Sequence, residues 1–403
     1  MSGKRTLFFL LAGLAILTGL LFHFLGPDAW RLWNVPVMSP SFADIRSILA
    51  GVEAQRLGYD PLYQNPLDPF GRVMAYPRLW LILGIFNVDQ SDTILLAVIE
   101  LILFFIGLFI FLDRFDSTTA FLMAAFLISP AAVLCYERAN NDLVAFFILA
   151  CALAAASFSR VFSFLLIELA ALLKIYPIVA LGYLIRESKR ALVIWLSGGV
   201  AIFSAYVLLT WRDLQQILAM APKGIDFNYG VTVIGLWILD ITRSRQLANV
   251  IFVLSYLIFY ILLMFLLYRV DRRKYEFPVE NPRALDAFRV GALIYIGTFL
   301  QGNTWDYRLI FLIFALPQLV EWARLPDGHQ TARITLACFL LLSWAMILAE
   351  RVNVIPFLLE TVFSWGLLAG LTYLLFASFP AWILDEVHRF FEKYQRHPKA
   401  IAP

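Results

Sequence analysis

Long apolar runs alternate with short polar islands along the chain, and the longest early island, Ser39 to Pro77, is the stretch around which the rest is organised. A helix needs about 20 apolar residues to cross the hydrocarbon core of a bilayer. Runs of that kind lie near 6–25, 92–112, 118–136, 142–158, 190–210, 247–268, 287–302, 307–323, 332–349 and 355–378. The segment 161–185 is long enough for one span, but Lys174 and Pro177 interrupt its middle, where a charge is costly and a helix breaks. The pattern predicts an all-α, polytopic membrane protein.

Basic residues decide the number of crossings, because Lys and Arg favour the cytoplasmic side. Lys4-Arg5, Arg186 to Arg190, Arg269 to Lys274, and the tail with His388, Arg389, Lys393 and Arg396 are the natural inner segments. With the amino terminus inside, Arg186 to Arg190 is inside only if 161–185 crosses twice, as two short helices meeting near Lys174 to Pro177 on the outer side. The alternative keeps 161–185 as one span and makes Pro77 to Phe86 a crossing. That piece is short and suits an interfacial helix better. The prediction is about twelve transmembrane helices with both termini cytoplasmic. The run from Leu7 to Leu25 exceeds a signal-peptide core of roughly 7 to 15 residues and lacks a cleavage site, so an uncleaved first span is expected.

The whole chain, 1–403, is then one integral membrane domain. A first outer loop with juxtamembrane helices occupies 26–91, core helices 92–190, a second large outer loop 211–246, C-terminal helices 247–384 and a cytoplasmic tail 385–403. The polar islands sort to the outer face and the basic loops to the other.

Composition agrees: 61% of residues are hydrophobic, 15% are charged, and mean hydropathy is +0.78, unlike an ordinary soluble domain. The net charge of +3 identifies no partner, and nothing points to nucleic acid. Cys135, Cys151 and Cys338 each fall in an apolar run, where free cysteine acts as a small hydrophobe, so neither a disulfide framework nor a zinc site follows. No phosphate-binding GxxxxGK, GxSxG elbow or HExxH motif is present.

Several islands carry residues fit for chemistry. Asp44 opens an apparently helical run to Leu57, and the plain alternative is an acid satisfied by the helix dipole and free amides. Asp60-Pro61-Leu62-Tyr63 is by default a turn. Tyr136-Glu137-Arg138-Ala139-Asn140-Asn141-Asp142 is either a connector capped by Asn141 or Asp142, or a polar site against an apolar wall. Lys174, in Lys174-Ile175-Tyr176-Pro177, either snorkels or meets a buried anion such as a lipid phosphate. Arg308, in Trp305-Asp306-Tyr307-Arg308, either pairs with Asp306 or offers its planar fork to a phosphate. In the loop 211–246, Lys223, Asp226, Asn228, Tyr229 and Trp237 suit sugar binding without a diagnostic spacing.

The order of these islands resembles the GT-C glycosyltransferases that use polyprenyl-phosphate sugars, nearest to the alpha-1,2-mannosyltransferase type. The likeness lies in an outer acid at Phe42-Ala43-Asp44, then Gly58-Tyr59-Asp60-Pro61-Leu62-Tyr63, Tyr76-Pro77 and a juxtamembrane helix. It continues at Tyr136 to Asp142, similar to the family's second outer acidic site, and at Leu173-Lys174-Ile175-Tyr176-Pro177. Beyond residue 190 only the general pattern and Asp306-Tyr307-Arg308 continue it. The family's Tyr-Pro-Pro is Tyr76-Pro77-Arg78 here, its Asn-Gly-Gln is Asn140-Asn141-Asp142, and Asp44 has no acidic neighbour as in the protein O-mannosyltransferases.

The resemblance implies Asp44 as catalytic base, with Glu137 and Asp142 as further acids. It implies a donor phosphate held by Lys174, Arg308 and Arg138, and substrate contacts from Asp60, Tyr63, Tyr76, Asn141, Tyr176, Asp306 and Tyr307. The implied donor is a polyprenyl-phosphate sugar, a mannose-like hexose or a pentose, and the acceptor a glycan or glycolipid beside membrane lipids. No cofactor is required; a divalent metal is optional, with Asp44, Glu137 and Asp142 able to converge on one. The lack of a terminal retrieval signal favours a bacterial plasma membrane. The rivals are a transporter or lipid-linked glycan flippase, a glycan polymerase or ligase, and a noncatalytic subunit of envelope glycan assembly.

Overall fold

The computed structural model describes residues 3–111, 114–270, 281–325, 330–348 and 355–395, and is built almost entirely of helix. The end of the tail beyond residue 395 and the basic segment around Lys274 lie outside the described residues. The first half holds α1 (Gly3–Leu25), α2 (Ala43–Arg56), α3 (Thr93–Phe111), α4 (Ser117–Leu127), α5 (Pro130–Arg138), α6 (Asp142–Ala155), α7 (Arg160–Lys174) and α8 (Lys189–Leu209). After it come α9 (Trp211–Met220), α10 (Val233–Thr242), α11 (Arg245–Arg269), α12 (Pro282–Leu300), α13 (Leu316–Ala323), α14 (Gln330–Trp344), α15 (Ile355–Ala377) and α16 (Ala381–Gln395). A short antiparallel pair, β1 (Asn228–Tyr229) and β2 (Thr304–Trp305), sets Asn228 opposite Trp305 and Tyr229 opposite Thr304.

Six helical segments among the described residues are long and apolar enough to cross a membrane: Gly3–Trp33, Gln90–Phe111, Lys189–Leu209, Arg245–Arg269, Gln330–Ile347 and Phe357–Ala377. The pair α4 and α5, bent by 57° at Ser129-Pro130, makes a seventh if it is one span. The protein is thus a helical, membrane-embedded chain. The predicted crossing 287–302 is α12, continuous over 19 residues but carrying Arg283, Asp286 and Arg289, and the remaining ones are helical but shorter or broken. The helix in 142–158 is α6, whose 14 residues extend about 21 Å. The segment 161–185 divides at Ile175 (φ 69°) into α7 and a 3₁₀ helix, Tyr176–Arg186, as the lysine and proline foretold. The run 307–323 is likewise a 3₁₀ helix, Asp306–Phe314, followed by α13, with Pro317 in its first turn.

Burial separates the helices into a centre and a periphery. Along α1, α8 and α11 the apolar side chains are mostly exposed, Phe24, Leu208 and Val253 among them, as lipid-facing surfaces require. The centre is α5, α6, α12 and the segment 306–323. Here Phe146 of α6 stacks on Phe314 at 4.3 Å with an interplanar angle of 6°, and Phe104, Phe111 and Phe311 surround it. The helices α3 and α6 approach closely at Gly107, where a Cβ would lie 3.0 Å from the Phe147 backbone. Small residues allow such contacts between membrane helices.

The first loop is folded. Arg78 grips Asp60 through two hydrogen bonds, at 3.0 and 2.8 Å, and Asp213 of α9 at 2.6 and 3.0 Å, so one guanidinium ties the segments 26–91 and 211–246 together. Arg78 therefore has a structural duty. The Arg78 hydrogen bonds hold the Asp60 carboxyl below the ordinary carboxylate range. A carboxylate with a lowered folded-state pKa stabilises above its unfolded pKa and loses that contribution as pH falls through the folded value. The interfacial helix expected after Pro77 is the 3₁₀ segment Arg78–Phe86, with Trp80 and Leu81 buried.

Replacement of Gly107 by Leu is expected to lower the thermal unfolding midpoint in detergent by several degrees, because α3 must move away from α6. The same change at Gly13, which has open space around it, is expected to leave the midpoint within 1 to 2 °C, about the size of a neutral surface change.

Candidate functional site

Polar islands far apart in sequence meet beside the start of α6. Asp44 is in the first turn of α2, after Phe42 in a left-handed conformation (φ 60°). Its carboxylate points away from the helix amides: Oδ2 accepts from Asn140 Nδ2 at 2.6 Å, and Oδ1 lies 3.6 Å from Arg72. The side chain is 13% exposed. Arg72 is itself anchored, to the Ala43 carbonyl at 2.6 Å and to Asp68 at 3.3 Å.

The strand of polar residues between α5 and α6 turns at Ala139 (φ 41°). Asn141 occupies the cap position of α6, as the sequence allowed, but its side chain bonds no helix amide. The preceding Asn140 supplies that bond, its Oδ1 accepting from the Asp142 amide at 2.9 Å. The same oxygen accepts from Lys174 Nζ at 3.1 Å.

Lys174 ends α7, and its side chain is only 8% exposed. Its ammonium donates to Asn140 Oδ1 and Asn141 Oδ1 and makes an ion pair with Asp142 Oδ1 at 3.1 Å, so three oxygens surround it. It also lies 4.9 Å over the Tyr76 ring. Asp142 is fully buried and takes a further hydrogen bond from Tyr176 Oη at 2.6 Å. Its Oδ2 has no hydrogen bond and faces Arg308 Nε at 3.9 Å. Removing one partner of a buried, hydrogen-bonded ion pair costs about 3 to 5 kcal/mol, so the lysine and aspartate hold α6 and α7 together.

Arg308 is the contrasting cation. Its guanidinium lies 4.9 Å from the Tyr176 ring and 6.0 Å from the Tyr307 ring, its Nε is buried without a hydrogen-bond partner, and its side chain is 20% exposed. It pairs with Asp142 and not with its near neighbour Asp306, the alternative that sequence spacing allowed. Glu100, buried in α3, is within electrostatic reach of Lys174, Asp44 and Asp142. The 3₁₀ helices starting at Arg78, Tyr176 and Asp306 all begin beside residues of this cluster.

The structure thus brings together Asp44, Tyr76, Asn141, Asp142, Lys174, Tyr176 and Arg308, with Tyr307 at the edge. It leaves others outside. Glu137 accepts from the Met38 amide at 2.8 Å and pairs with Arg138, which bonds the Pro36 carbonyl at 3.2 Å. Both tether the segment before α2, so Arg138 is occupied. Asp60 is held in the Arg78 clamp, and Tyr63 is exposed on the loop. Asp306 is buried beside Glu360 of α15, and its amide donates to the Phe227 carbonyl at 2.8 Å.

Asp44, Glu137 and Asp142 do not converge on a cation, since each has its own partners. Among the described residues no three His, Cys, Asp or Glu side chains form a group able to hold a metal. Sequence reasoning omitted Arg72, Asn140 and Glu100 from the site. Glu100 had a legible signal, an acid inside the apolar run 92–112. Arg72 had none. Comparison with known proteins finds no matching family model, no matching curated protein and no matching solved structure.

Lys174→Met is expected to lower the thermal unfolding midpoint sharply, because Asp142 then keeps a buried charge without its ammonium. Arg308→Ala is expected to change the midpoint by less than half as much, since Lys174 and Tyr176 still hold Asp142. Unfolding of both variants in detergent micelles, followed by intrinsic fluorescence, checks the difference.

Proposed function

We propose that this protein is an integral-membrane glycosyltransferase that moves a sugar from a polyprenyl-phosphate donor to a glycan or glycolipid acceptor on the outer face. The observation that carries this is the convergence of Asp44, Asn140 to Asp142, Lys174 with Tyr176, and Arg308 into one polar cluster at the ends of membrane helices. Each comes from an island that resembles a GT-C element, and chance spacing gives no reason for them to meet.

The chemistry is a single inverting displacement. The acceptor hydroxyl oxygen forms a bond to the anomeric carbon while the bond from that carbon to the phosphate oxygen breaks, its electron pair leaving with the phosphate. Asp44, partly exposed beside the buried pair, takes the hydroxyl proton as general base. Arg308, with N–H donors not engaged by the described residues, stabilises the charge that builds on the departing phosphate. Lys174 was expected to share that duty. It is already enclosed by three oxygens, through two hydrogen bonds and an ion pair, so Arg308 is the better phosphate ligand and Lys174 orders the site. Tyr76, Tyr176 and Tyr307 wall the cluster and suit contact with the sugar.

The same proposal includes the finer topology: about twelve crossings, counting the short and broken helices, both termini cytoplasmic, and a bacterial plasma membrane. A transporter is the second reading, favoured by the buried Lys174–Asp142 pair, since intramembrane ion pairs also line transport paths.

Transfer of radiolabelled sugar from polyprenyl-phosphate mannose, glucose and arabinofuranose into a membrane extract tests the activity. The wild type is expected to use one donor, and Asp44→Asn at matched expression to lose at least about 100-fold, the usual scale for a general base. Equal transfer by both removes Asp44 from the mechanism, and no transfer from any donor favours the transporter.

Sidedness has its own check. A cysteine at Gln64 is expected to react with an impermeant maleimide from outside and one at Lys274 only from inside; reversal at both positions would place the cluster on the cytoplasmic face.

A further inference from the structure

Asn140 sits at the centre of the cluster with no exposed surface. A side-chain amide can in principle face either way, but here Oδ1 accepts from two donors, the Asp142 amide at 2.9 Å and Lys174 Nζ at 3.1 Å. That leaves Nδ2 free to donate, and it donates to Asp44 Oδ2 at 2.6 Å. The reverse orientation would set the NH₂ group against an amide N–H and an ammonium, and the carbonyl oxygen against a carboxylate. The orientation is therefore forced by its neighbours.

We infer that Asn140 is a positioning residue for Asp44. It occupies Oδ2 and fixes the carboxylate plane, so that Oδ1 is the oxygen turned to the acceptor. Among the described residues Oδ1 has no hydrogen bond, and its ion-pair partner Arg72 lies at 3.6 Å, beyond ordinary hydrogen-bond length. Lys174 acts at one remove: it pins Asn140, and Asn140 aims Asp44. The links run from α7 through the start of α6 to the start of α2, so docking of the first outer loop and aim of the base are one event. This inference deepens the glycosyltransferase proposal and rests on it for the role of Asp44; the hydrogen-bond geometry stands without it.

The test uses the full chain in lipid nanodiscs and two readouts. In the first, Asn140→Ala is expected to lower kcat for sugar transfer by about 100-fold, the scale of a misaligned reacting group, with KM for the donor within twofold of wild type. A raised donor KM with unchanged kcat would overturn the inference, because Asn140 would then serve binding. The second readout needs no transfer. The Asp44 peptide is labelled with a water-soluble carbodiimide and an amine nucleophile and quantified by mass spectrometry, with Glu53 of the same helix as the internal reference. Loss of the 2.6 Å hydrogen bond is expected to speed Asp44 labelling severalfold relative to Glu53. An unchanged ratio would overturn the inference. If the wild type transfers no sugar at all, the enzymatic proposal fails alone, and the labelling ratio still decides whether Asn140 holds Asp44.

Discussion

The structure depends on one buried charge and the way it is satisfied. The Lys174 ammonium, at the broken end of α7, is surrounded by Asn140, Asn141 and Asp142 at the start of α6. A charge at this depth is costly unless it is paired and hydrogen-bonded, and here both conditions are met. The pairing joins two helices too short to be held by length alone. It also places the helix break at Ile175 where the segment 26–91 can reach it, and Trp80 of that segment donates to the Leu173 carbonyl at 3.0 Å.

Around this pair the protein sets two kinds of surface against each other. The peripheral helices α1, α8 and α11 expose aliphatic and aromatic side chains, which suits lipid. The central helices bury theirs in an aromatic cluster around Phe146, each stacked pair contributing about 0.5 to 1.5 kcal/mol beyond its buried area. Buried charges in such a chain are costly unless they find partners. Asp142 and Lys174 do so at one end of the bundle; Arg186 and Arg289 do so with Asp286 elsewhere.

The division of labour between the two cations follows from their chemistry. An ammonium has three donors that can be satisfied by three oxygens in a small volume, and Lys174 is satisfied in that way. A guanidinium has five donors in a plane, and Arg308 rests that plane near Tyr176 and Tyr307 with its Nε unpartnered. One cation is therefore enclosed by oxygens, and the other meets only the Asp142 carboxylate, at 3.9 Å, among the described acids. Asp44 belongs to both halves, since one oxygen joins the Lys174 network through Asn140 and the other faces Arg72.

Much of the architecture was legible from the chain alone. Hydrophobic runs marked the helices, Lys174 and Pro177 marked the break at Ile175, and the polar islands named most of the cluster, because an unpaired charge in an apolar run must have a reason to be there. Whether a run is one span or two short pieces was not legible, since bends such as the 57° one at Ser129-Pro130 arise from packing as well as from proline. Nor was the pairing. Arg138 and Arg308 look alike in sequence, yet one is tied to Glu137 and the Pro36 carbonyl while the other keeps free donors. Asp60 and Asp306 were expected to contact substrate, but one is clamped by Arg78 and the other buried beside Glu360. Residue type and local pattern determine which groups need a partner; only the tertiary fold decides which partner each one meets, because those contacts join residues some 30 to 170 positions apart, such as Lys174 with Asn140 and Asp142 with Arg308.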